Sequence, residues 1–319
     1  MVRFFSFLLI LLVLISCSND KKHEVDVSGI VVDFSVRRFE QDFYTANESS
    51  LQDVKKNYPL FFPSGISDTT YISKIHNEEN QYLFEETKRV FGDFSEQKSQ
   101  LSNLFKHIKY YNPKFKEPNV ITTISDLDYE YPVIYADSLL LISLDMFLGS
   151  DNIVYKDFPQ YLAQNYTREH LIVAVSNDII NQSFPKYKSR SFLDYLINEG
   201  RYRYLSQLFL PSVSEANIMG YTEKQQIWVE NNEMSIWKYF VENELLYSRE
   251  QNLLPRFVNP APFSKFYMDI DQQSPGQVGV WVGLQIIKSY MNNNDVTLRQ
   301  LLQANTEEIF TKSKYKPKK

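Results

Sequence analysis

The seventeen residues REHLIVAVSNDIINQSF, Arg168–Phe184, have helical spacing but almost no polar face. A helix that is apolar nearly all round has to be enclosed by other elements, so the chain must build a body around this one. The rest of the sequence supplies the material. Its 319 residues are 43% hydrophobic and 15% aromatic, with 22 Tyr, 23 Phe and only 9 Gly, enough to bury a substantial core filled by large rings. The helix is expected to run from about Thr167, a residue type that caps helix N-termini, to about Gln182, with Pro185 close behind.

Helical period also recurs in DTTYISKIHNEENQYLFEETKRVF and in SEQKSQLSNLFKHIKYY, while IVVDFSVRRFEQDFY reads as a strand running into a helix. Between them and the enclosed helix lies NVITTISDLDYEYPVIYADSLLLISLDMFLG, where β-branched and apolar runs are broken by Asp and Pro. That pattern predicts two or three antiparallel strands. The fold class is therefore α+β, mostly helical, with a small antiparallel sheet in the first half. No Pro-, Gly- or Ser-rich linker interrupts residues 29–312, which read as one globular domain followed by a basic tail, 313–319.

The chain begins with a different kind of segment. From Phe4 to Ile15 it is apolar apart from Ser6, after one positive charge at Arg3. This is the layout of a secretory signal peptide, too short for the roughly 20 residues of a spanning helix. The run ends in Leu14, Ile15, Ser16 and Cys17, which resemble the bacterial lipobox. The resemblance implies that residues 1–16 are removed and that Cys17 becomes the lipidated N-terminus, with 17–28 a polar tether. Acyl chains contribute about 0.8 kcal/mol per buried CH2 to membrane attachment. Because Cys17 is the only cysteine, the mature body has no thiol for disulfides or metal ligation. A net charge of −5 gives no nucleic-acid footprint. The five lysines of KSKYKPKK are confined to the tail, where such a run reads as a solvated, frayed end.

Chemistry, if present, is expected in the enclosed helix and the next one. Three polar residues interrupt the first: Asn177, Asp178 and Asn181. Asn177 and Asn181 are one turn apart on one face, giving N-D-x-x-N in the spacing of the zinc motif H-E-x-x-H. In FLDYLINEGRYRYLSQLF, capped by Ser191 with Asp194 three residues on, Glu199 stands where zinc peptidases of the glutamate type have their third ligand. The asparagine amides offer only neutral, weak carbonyl oxygens, and Asp178 is one methylene shorter than the usual glutamate. The expectation is a zincin-like groove without zinc, catalysis or cofactor. Two uses remain open for these residues: hydrogen bonding within the core, with Glu199 paired to Arg201 or Arg203, and binding of a peptide or other ligand.

At these residues the chain resembles the gliding motility-associated lipoprotein GldB family of Bacteroidetes. The resemblance spans the lipobox, VRRFEQDF, YPVIYADSLLLISLDMFLGSD, INEGRYRYL, SPGQVGVWVGLQIIKSYM and the SKYKP tail. That family is similar to predicted zinc-dependent peptidases of the zincin type. Membership implies a lipoprotein of the cell envelope, anchored to a membrane through Cys17, that acts with other proteins of the gliding machinery and of the associated type IX secretion. The alternative is an envelope hydrolase with an unorthodox acid set, Asp178 and Glu199.

The remaining candidates are weaker. Of His23, His76, His107 and His170 only the last shares the enclosed helix. Gly276, Gly279 and Gly283 lie close to one helical face; without G-x-G-x-x-G or a preceding strand they point to close helix packing rather than a phosphate loop. Asp126, Asp128 and Glu130 alternate in SDLDYEY, but an EF-hand loop needs its glycine and terminal glutamate, so a solvated loop is expected.

Overall fold

The computed structural model describes residues 25–318 apart from 137 and 270, so Cys17 and His23 lie outside the described residues. The protein is a mostly helical α+β body. Strand β1 (Val36–Arg38) leads directly into α1 (Phe39–Tyr44), followed by α2 (Leu51–Asn57), α3 (Asp68–Ile75), α4 (Glu78–Phe91) and α5 (Ser95–Tyr111). Strands β2 (Asn119–Thr123), β3 (Val133–Ala136) and β4 (Leu139–Ser143) come next. The second half contains α6 (Gln160–Ala163), α7 (Leu171–Ser183), α8 (Phe192–Phe209), α9 (Glu215–Met219), α10 (Glu223–Asn231), α11 (Glu233–Glu242) and α12 (Leu253–Phe257), then α13 (Val278–Asn293), α14 (Leu298–Gln303) and α15 (Thr306–Ser313). Among the described residues no helix is long and apolar enough to cross a membrane.

The sheet corrects the expectation of antiparallel strands. Its order is β1-β2-β4-β3, with β1–β2 and β2–β4 parallel and only β3–β4 antiparallel. Only two residues separate β3 from β4, which allows just an antiparallel pair. Parallel strands need a longer crossover, and helices α1–α5 supply it between β1 and β2. The burial pattern follows this topology. Val120, Leu140 and Ile142 on the central strands are fully buried, as parallel strands require, whereas β3 is an edge strand that leaves Ile134 exposed.

The aromatic excess is spent locally. Phe39 stacks on Phe61 at 3.9 Å between ring centroids and on Phe43 at 5.2 Å, and Tyr58, Phe62 and Tyr71 join the same group. In the second half Phe240 meets Phe192 and Phe257 edge-on, each at 5.1 Å.

Helix α7 is enclosed as expected, with Leu171, Val173, Val175 and Ile179 fully buried against β3, α5 and α8. Its start differs from the sequence expectation. Thr167 Oγ1 accepts the His170 N–H at 3.3 Å one turn earlier, and His170 occupies the N-cap position without a side-chain cap. Helix α8 does carry the expected capping box: Ser191 Oγ accepts from the Asp194 N–H, and the Asp194 carboxylate accepts from the Ser191 N–H.

The central packing is α8 against α13, and it is made of glycine. A Cβ on Gly283 would lie 1.8 Å from the Leu196 carbonyl oxygen, and one on Gly200 would lie 2.3 Å from the Gly283 carbonyl carbon. A Cβ on Gly279 would also clash, though less closely, at 2.7 Å from Leu196 Cδ2 and 2.8 Å from the Phe257 carbonyl oxygen. The backbones therefore touch where any side chain would hold them apart. Gly276 lies before α13 and packs on Ala261 instead.

Candidate functional site

The N-D-x-x-N residues of α7 point to separate destinations. Asn177 is half-buried, and its Oδ1 accepts from Ser206 Oγ of α8 at 2.9 Å. Asp178 faces the sheet: its Oδ2 accepts the Tyr135 backbone N–H at 2.6 Å. That N–H points away from β4, so the carboxylate occupies a donor on the outer edge of β3, the kind of group that invites unwanted strand pairing when left open. Burial pushes the Asp178 carboxyl up, while the bond from Tyr135 and the charge of Lys186 pull it down. Asn181 is exposed on the last turn of α7. The expectation of a shared buried face is thus corrected: α7 extends past the elements that cover it, and its last asparagine meets water.

Glu199 on α8 is half-buried. Its charge acts on Tyr202 and Arg203 one turn further along the same helix. Arg201 does not pair with it; Nη1 donates to Asn198 Oδ1 at 3.0 Å and Nη2 to the Ala304 carbonyl. Among the described residues no three His, Cys, Asp or Glu side chains are placed to share a metal ion.

His170 Nδ1 lies 3.0 Å from Asn217 Oδ1 of α9. Burial, countered by this hydrogen bond and reinforced by the charge of Arg203, pushes its pKa down to about 4, so the ring is neutral. It lines a cavity of about 220 Å³ with Tyr221, Gly276 and Tyr166. His107 is buried and satisfied within α5, where Nδ1–H donates to the Asn103 carbonyl at 2.8 Å. His76 terminates α3.

The acidic loop is committed to structure. Asp126 pairs with Lys74 at 2.8 Å, and Asp128 accepts the Glu130 N–H at 3.0 Å. A residue absent from the sequence expectations organises it: fully buried Asp145 accepts from the backbone N–H groups of Ser125 (3.0 Å) and Leu127 (2.7 Å). Asp126 and Leu127 both adopt positive φ, near 60°, to present those donors. Glu215 was equally invisible. Its carboxylate accepts from Trp281 Nε1 and Gln285 Nε2, both at 2.9 Å, and from Lys288, Gln207 and Gln226. The donors lie on three different helices, which no local spacing reveals.

The profile of a family described as gliding motility protein GldB matches residues 20–317. The chain belongs to the GldB family. Membership makes it a gliding motility protein and places it with the lipoproteins of the cell envelope. No curated protein and no solved structure matches it. In this GldB-family chain two polar residues of α7 hold secondary structure together: Asn177 ties α7 to α8, and Asp178 ties α7 to β3.

Proposed function

We propose that this GldB-family protein is a non-catalytic lipoprotein. Lipid on Cys17 holds it to a membrane of the cell envelope, and its helical body supports the gliding machinery and the associated type IX secretion through protein partners. The observation that carries the non-catalytic part is the Asp178–Tyr135 bond. A carboxylate that activates water must face it, and this one is turned onto a strand edge. Its neighbour Asn177 is held by Ser206 and offers zinc no more than an amide oxygen.

The test compares this reading with an envelope hydrolase that uses Asp178 and Glu199. Asp178→Ala is unsuitable, because it removes the carboxylate oxygen that accepts the Tyr135 N–H. Asp178→Asn combined with Glu199→Gln keeps shape and acceptor oxygens while removing both carboxylates. The expected result is a folded protein at its normal level and unchanged gliding and adhesin secretion; lost gliding with the folded protein present would sink the scaffold reading. The anchor is tested separately by Cys17→Ala, expected to move the protein to the soluble fraction and stop gliding. Normal gliding with soluble protein would contradict it.

A further inference from the structure

Arg201 is 1% exposed, yet among the described residues no carboxylate pairs with it. A buried guanidinium is ordinarily matched by an acid, because an unpaired buried charge carries a large desolvation penalty. Here the partners are neutral. Asn198 Oδ1 and the Ala304 carbonyl accept one hydrogen bond each, the Tyr187 ring lies 4.1 Å from the guanidinium carbon, and Nε is buried without a partner. Five N–H donors in a fixed fork meet the Asn198 and Ala304 oxygens and the Tyr187 hydroxyl, three neutral acceptors.

Arg201 also lines a cleft of about 610 Å³, formed by the loop before α8, the first turns of α8 and the segment joining α14 to α15. Tyr187, Lys188, Asn198 and Tyr247 line it as well, and Tyr247 is 70% exposed at the rim. The two acids of the cleft do not compensate the arginine. The Asp194 carboxylate is taken by the N–H groups of Arg190 and Ser191, at 2.9 Å each, and Glu307 makes no ion pair among the described residues. The wall of the cleft therefore holds a cation that has only neutral partners and more donors than acceptors.

We propose that this cleft binds a carboxylate, received by the Arg201 guanidinium. The match is one of geometry: a carboxylate accepts two parallel N–H bonds from a guanidinium fork, and the flanking Tyr187 ring and Asn198 amide already fix the fork's plane. Lys188 at the cleft adds a second positive charge. The carboxylate is either a free small acid or the C-terminus of a peptide. Both present the same group, and the cleft volume accommodates either.

The test uses the full chain in detergent and three probes: acetate, an N-acetylated dipeptide acid, and the same dipeptide as its C-terminal amide. Binding is followed by calorimetry and by thermal unfolding. The proposal expects saturable binding of at least one acid probe and none of the amide. Binding of acetate as well as the dipeptide acid assigns the cleft to small carboxylates, whereas binding of the dipeptide acid alone assigns it to a peptide terminus. Asn198→Asp supplies the missing acid from within at unchanged shape. It is expected to raise the unfolding temperature and to weaken acid binding at least about tenfold. Should this variant fail to fold, Arg201→Met, which replaces the charge by apolar volume, is expected to abolish acid binding. Wild-type protein that ignores both acids, or a folded Asn198→Asp variant that binds them as wild type does, would overturn the proposal.

Discussion

Gly283→Ala separates two physical effects of opposite sign. In a helix interior alanine is favoured over glycine by about 1 kcal/mol, so an isolated α13 would gain. In the protein the new methyl lies 1.8 Å from the Leu196 carbonyl oxygen, which is 1.6 Å short of the 3.4 Å at which ordinary contact begins. The obstacle is backbone, so no side-chain rotation relieves it, and α8 and α13 must part. A gap of 0.5–1 Å already forfeits a quarter to a half of the dispersion well for the atoms involved. Leu196, Val280, Leu284 and Ile287 are all fully buried at or beside this seam. Overpacking of this kind costs about 1–3 kcal/mol, occasionally more, and the rigidity of both partners puts this case at the upper end. After the propensity gain the net loss is about 2 kcal/mol, or several degrees in unfolding temperature at roughly 2–4 °C per kcal/mol. Thermal and urea unfolding followed by circular dichroism measures it. Gly29→Ala, which meets nothing within 4 Å, is the control and should fall within about 0.5 kcal/mol of wild type. A Gly283→Ala protein as stable as wild type, or more so, would refute the argument that backbone contact sets the seam.

Two further outcomes follow from the buried acids. Burial raises the Asp145 carboxyl to about 6, against the hydrogen bonds from Leu127 and Ser125; with an unfolded value near 3.9, the fold binds the extra proton, so Asp145 makes stability fall as pH rises from about 4 to about 6. Asp145→Asn should flatten that part of the pH–stability curve, and an unchanged slope in urea unfolding across the window would show that another group carries it. For Glu215 burial works against ionisation, but Lys288 and the amide donors outweigh it and hold the carboxyl below its usual range. Glu215→Ala orphans Lys288, Trp281 and three glutamines together and should cost about 2–4 kcal/mol, measured by the same unfolding; a loss below 0.5 kcal/mol, within the range of ordinary surface changes, would contradict this.

What could be read from sequence was local. The limits of α5, the α8 capping box and the need to enclose α7 all follow from residues within a turn or two of each other. Close packing at Gly279 and Gly283 was legible too, but not its partner Gly200, since the pairing is between helices far apart in sequence. The sheet was misread as antiparallel because strand propensity carries no information about which strand lies beside which. Residues around β3 and β4 imply a hairpin, and nothing in NVITT tells that β2 runs parallel to β4. Asn181 was misplaced for a related reason: periodicity sets the face of a helix but not where its cover ends. DTTYISKIHNEENQYLFEETKRVF has one helical rhythm but forms two helices, because Asn77 accepts the Asn80 N–H and starts α4 anew. Arg201 went unmarked as a cation of the core because arginine in a helix ordinarily reaches solvent.

The basic tail was expected to fray, and Lys314, Lys316 and Lys318 are exposed. Tyr315 among them is not free: its ring meets Trp237 edge-on at 5.1 Å, and its hydroxyl donates to Glu233 Oε1 at 2.8 Å. The stretch that looks most disposable is a clasp. It fastens the segment after α15 onto α11, so that two helices some seventy residues apart are locked by one ring. Cutting the chain after Ser313 would free no spare tail; it would open the clasp, bare a Trp237 edge and leave the buried Glu233 carboxylate without its phenol.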